Sequence, residues 1–140
     1  MSRKLINIGI EHIRELILPA LKSQEQVAGA YLFGSALEMC RPDSDIDLAI
    51  LLKPEIITEE QAEIETEAIL QELPPVQNHP YDLIILNRVS AIFAYKIITQ
   101  GKLIYASDED FITSFMEKTS RMRAENYPRY RWALKEIVRS

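Results

Sequence analysis

Two acids at the start of an apolar run constrain this chain more than any other feature. The run reads Asp45-Ile46-Asp47-Leu48-Ala49-Ile50-Leu51-Leu52, and the Ile, Leu and Ala around the acids predict a buried strand over 45–52. Residues two apart on a strand share a face, about 6–7 Å from each other. Two carboxylates held so repel by roughly 2–3 kcal/mol at an effective dielectric of about 20. A divalent cation between them offsets that cost, and hard oxygen ligands on a rigid strand suit Mg²⁺. The pair reads as a metal site.

A second apolar stretch, Val27 to Phe33, runs into Gly34-Ser35, and nine residues separate that dipeptide from Asp45. A strand entering such a turn can present backbone N–H groups and a hydroxyl to an anion. Gly34 permits close backbone approach, and Ser35 can donate to a phosphate oxygen. Alone, Gly-Ser is a commonplace turn; joined to an Asp-x-Asp strand at this distance it is specific. A further acid opens Tyr81-Asp82-Leu83-Ile84-Ile85-Leu86, a short apolar run after the breaker Asn78-His79-Pro80. A lone Asp there would be an acid at the solvent end of a strand. Beside the Asp45/Asp47 pair, Asp82 is expected to be a third metal ligand.

These residues resemble the polymerase-β-type nucleotidyltransferase superfamily, whose pattern is Gly-Ser, a loop, Asp-x-Asp and a later strand Asp. The segments Arg41-Pro42-Asp43-Ser44-Asp45-Ile46-Asp47, Tyr81 to Arg88 and Gly101-Lys102-Leu103-Ile104-Tyr105 extend the likeness to the minimal, MNT-type branch, over roughly residues 1–125. The resemblance implies an α/β fold, a small mixed β-sheet flanked by helices, and Mg²⁺-dependent transfer of AMP from ATP. It implies that Asp45 and Asp47 bridge two Mg²⁺ ions, that Asp82 binds the one facing the attacking hydroxyl, and that Gly34, Ser35 and Arg41 contact the nucleotide. In this branch the transferase is commonly the antitoxin of a HEPN-domain RNase toxin. The implied partner is therefore such a toxin, and the implied acceptor is a Tyr hydroxyl on it.

The chain departs from that branch in one place. The branch often carries Arg and Gly soon after Gly-Ser, in a loop one residue longer, whereas Arg41 is the only cation in residues 36–44 here. Two other functions stay open: an antitoxin that blocks its partner sterically without catalysis, and a transferase acting on a small molecule. Enzymes of the latter kind usually add a second helical domain, for which this chain leaves little room.

The 140 residues predict a single domain, 1–140, with a helical C-terminal segment at 107–140, large enough to bury about two thirds of its unfolded surface. No run approaches a membrane span and no cleavable signal pattern opens the sequence. A single cysteine, Cys40, excludes an intramolecular disulfide and fits a reducing cytoplasm. The formal charge of −5 argues against direct nucleic-acid binding. It is unevenly spread: residues 121–140 carry six Arg or Lys against two Glu, leaving the preceding residues at −9. That basic tail, with Tyr127, Tyr130 and Trp132, either folds back on the core or forms a docking surface for a partner.

The remaining pattern orders the elements. Ile6, Ile10, Ile13, Ile17 and Leu21 fall on one face of a helix over about 4–22, with a kink expected near Pro19. Thr58 and Gln61 form a capping-box signature for a helix ending before Pro74-Pro75. Another helix is expected near 90–100, closed by Gly101, then a strand at 102–105 and a helix after Ser107-Asp108 bearing Phe111, Phe115 and Met122. Tyr95 and Lys96 are either nucleotide contacts or one core and one surface residue. His12 and His79 lack metal-ligand spacing, and no Walker-type or Gly-x-Ser-x-Gly motif is present.

Overall fold

The computed structural model describes residues 10–34, 45–53, 58–76 and 79–122. Four strands form one mixed sheet in the order β3-β2-β1-β4: β1 Val27–Phe33, β2 Ile46–Leu52, β3 Tyr81–Ile85 and β4 Lys102–Ala106. β1 runs antiparallel to β2 and β4, whereas β2 and β3 are parallel. The parallel pair requires a crossover, and helix α2 (Glu59–Glu72) supplies it. β1 and β2 occupy the centre because both are apolar on both faces, so each must be covered on both sides.

Helices α1 (Ile10–Lys22) and α2 cover one face, where Ile13, Ile17, Leu21 and Ile69 pack on Leu32, Leu48 and Ile50. Helix α3 (Ala91–Gln100) and helix α4, described over 109–122, cover the other, with Ala94, Ile97 and Ile112 packed on Tyr31, Ala49 and Leu51. The small mixed sheet flanked by helices is the architecture expected from the sequence.

Local signals explain most boundaries. Thr58 Oγ1 accepts from Gln61 N–H at 3.1 Å, Ser90 Oγ from Phe93 N–H at 3.2 Å, and Asp108 Oδ1 from Phe111 N–H at 3.0 Å. Gly101 follows α3 without a left-handed turn. It is small because a Cβ there would stand 2.6 Å from Ile97 O and 2.9 Å from Leu32 O, which seats the end of α3 tightly on β1. Helix α1 continues through Pro19, and Arg14 Nε ties it to β4 by donating to Ile104 O at 2.9 Å. Residues 4–9, the connector 35–44 and the aromatic tail beyond Met122 lie outside the described residues. Met122, expected on the apolar stripe of α4, is 41% exposed, while Phe111 and Phe115 pack inward.

Two side chains fasten the β2–β3 region. Asn87 acts as an extra strand partner, accepting from Leu52 N–H at 2.9 Å and donating to Leu52 O at 2.8 Å. Tyr81 donates its hydroxyl to Pro74 O, joining the start of β3 to the end of α2. Burial pushes the Tyr81 phenol up to about 12, and burial raises Tyr31 as well. Folding therefore favours the protonated phenols over their unfolded counterparts, which ionise near 10. The Tyr81 contribution is fully present below pH 10 and is lost as pH rises from about 10 to about 12, and the Tyr31 contribution is likewise lost above its ordinary range. Urea midpoints should fall across that window, and the fall should shrink in Tyr81→Phe.

Candidate active site

Asp47 sits in the middle of a row that crosses the sheet. It pairs in register with Phe33 on β1 and with Asp82 on β3. Residues paired across adjacent strands point to the same face, about 5 Å apart at the backbone. The row Phe33, Asp47, Asp82 therefore lies on the face covered by α3 and α4, at the end where β1 finishes and β2, β3 and β4 begin. Asp47 is half-buried and Asp82 exposed, so the acids stand at the rim of the core rather than within it.

Asp45 precedes the strand by one residue. Pairing begins at Ile46, whose N–H donates to Pro80 O at 2.8 Å, and this anchors the acidic end of β2 against the entry to β3. Asp45 is exposed, two residues from Asp47.

Gly34 completes the described part of the site. Its φ is +72°, a left-handed conformation costly for any residue with a Cβ. A Cβ placed on it would overlap Asp47 Oδ2. Gly34 and the central carboxylate are thus packed together, which the sequence spacing alone did not establish. Ser35 and Arg41, the other expected nucleotide contacts, lie outside the described residues.

Among the described residues, no three His, Cys, Asp or Glu side chains stand close enough to hold a metal ion. What the backbone brings together is a pair of strand positions, Asp47 and Asp82, with Asp45 adjacent. All three donors are carboxylates, and a hard cation with water in its remaining positions suits that set.

The other candidates separate cleanly. Tyr95 is half-buried and Lys96 exposed. His12 is exposed; His79 is buried, and its N–H donates to Val76 O at 2.9 Å. Sequence reasoning missed Phe33 and Phe93, whose rings meet edge to face with centroids 6.3 Å apart and planes at 84°. Phe33 looked like one more strand residue, and nothing in the sequence placed α3 over the end of β1.

The family model described as polymerase beta, nucleotidyltransferase, matches residues 15–110. No curated protein matches the sequence. Among solved structures, a chain of the toxin–antitoxin complex MntA–HepT superposes with a TM-score of 0.62 at 23% identity, covering 93% of this chain and 99% of that one. A chain from the complex of tri-AMPylated Shewanella oneidensis HEPN toxin with MNT antitoxin gives 0.60 at 21%, covering 93% and 98%. A chain from a toxin–antitoxin structure with AMP-PNP gives 0.58 at 23%, covering 91% and 98%. At these identities the likeness establishes the fold. No helix among the described residues is long and apolar enough to cross a membrane.

Proposed function

This chain belongs to the polymerase β nucleotidyltransferase family, and from that membership we propose that it is an antitoxin that transfers AMP from ATP to a tyrosine hydroxyl of a HEPN-type toxin. The observation that carries the reading is the placement of Asp47 in register with Asp82 and packed against Gly34. Paired acids beside a glycine that permits close backbone approach are the two halves a triphosphate reaction would need. The solved relatives add the chemistry of the partner: one holds an AMPylated HEPN toxin and another AMP-PNP.

In this reading the acceptor oxygen attacks the α-phosphorus as the bond to the β-phosphate bridging oxygen breaks, releasing pyrophosphate. Asp45, Asp47 and Asp82 would hold Mg²⁺, which when bound neutralises phosphate charge and lowers the pKa of the acceptor hydroxyl. Asp82, on the outer strand, faces the incoming hydroxyl and takes its proton. The backbone N–H groups after Gly34 and the Ser35 hydroxyl donate to the departing phosphates, and Arg41 adds the one cation of that loop. Ser35→Ala is expected to weaken ATP use by about 1–3 kcal/mol in kcat/KM. Kinetics equal to wild type would reduce Gly34-Ser35 to a turn.

Co-expression with the partner tests the whole proposal. Mass spectrometry should find AMP added to the toxin, and the toxin's RNase activity should fall with it. Truncation before Arg121 should weaken the complex while leaving Mg-ATP binding in place. One observation favours a second reading, a steric antitoxin: the described acids do not close into a three-ligand cluster. A tight complex whose toxin stays unmodified in the presence of Mg-ATP would select it.

A further inference from the structure

We propose that Phe93, braced by Phe33, is the stacking platform for the base of the nucleotide and makes the site prefer ATP to a bare triphosphate; this rests on the nucleotidyl-transfer reading above. Phe33 is the register partner of Asp47, on the side away from Asp82. The strand order thus puts the acceptor-facing acid on one side of Asp47 and the aromatic pair on the other, next to Gly34. A planar group held there belongs to the nucleotide rather than to the acceptor.

The exposure of Phe93 points the same way. It is 38% exposed, while Phe111 and Phe115, which cover the same face of the sheet, are packed against the core. The edge-to-face contact with Phe33 fixes one side of the pair and leaves aromatic surface open. The ring is also held by its backbone. Phe93 N–H donates to the Ser90 cap, and the far end of α3 is seated on β1 through Gly101, 3.4 Å from Phe33 Cβ at its would-be side chain. A ring on a capped helix, held against Phe33 beside the Asp47 position, loses little freedom when a base stacks on it, and such stacking is tolerant of base identity.

Binding of ATP and of inorganic tripolyphosphate to the full-length chain, both with Mg²⁺, tests this. Phe93→Leu keeps apolar volume against Phe33 but removes the π face; it should weaken ATP binding about 5- to 100-fold and leave tripolyphosphate binding unchanged. Phe93→Trp should bind ATP at least as well as wild type. Ile64→Ala, at an exposed position on α2, should change neither. Equal losses for ATP and tripolyphosphate in Phe93→Leu, or no loss for ATP, would overturn the platform while leaving the transferase reading standing. Failure of wild type to bind either compound would remove both.

Discussion

Asp47→Asn is expected to abolish nucleotide transfer while leaving the protein folded. Asp47 is the only acid in the row with a neighbour on each side, Phe33 and Asp82, and its carboxylate lies against Gly34. The amide keeps the shape and the hydrogen-bonding oxygen but removes the charge that would hold a cation. Even partners one step removed from a metal are worth about 10- to 100-fold, so loss of a direct ligand should lower kcat/KM by more than about 100-fold. Stability should hold or rise slightly, because one member of a like-charged pair is neutralised. Transfer assays and thermal melts on the same preparation check both halves. A variant as active as wild type would end the metal assignment.

Gly34→Ala should damage stability and activity together. The left-handed conformation at φ +72° costs a residue with a Cβ about 1–2 kcal/mol. The new methyl group would also occupy the space of the Asp47 carboxylate. Either the turn or the acid must move. The melting temperature should drop by about 3–8 °C, and transfer should fall further than that loss of folded protein explains. Activity that merely tracks the folded fraction would mean that the contact with Asp47 is structural. Paired with Asp47→Asn, this variant separates geometry from charge, since one displaces the carboxylate and the other neutralises it.

The strands were readable because their apolar runs are dense and bounded by Gly34, Pro54 and Pro80. The caps at Thr58, Ser90 and Asp108 sit where side-chain oxygens precede helical patterns, so helix starts were legible to within a residue or so. Register was not. Nothing in the sequence states that Asp47 rather than Asp45 stands opposite Asp82, because pairing across a crossover is decided by tertiary packing. The same holds for Phe33 and Phe93, which meet only because α3 crosses the end of β1. Gly101 was recognised as a helix stop, but its physical reason is crowding by Leu32 O and Ile97 O, visible only in three dimensions.

The position of β3 in the sheet gives the two paired acids unequal fates. Asp47 belongs to a strand bonded on both flanks, whereas Asp82 belongs to one whose described pairing is with β2 alone. Fraying of that border strand would withdraw Asp82 from the row and leave β1 and β2 zipped together. Openings confined to that edge would separate Asp82 from Asp47 without unzipping β1 from β2. If the proposed transfer holds, an acceptor protein seated against β3 would suppress those openings and keep the row of paired acids together for as long as it stayed docked.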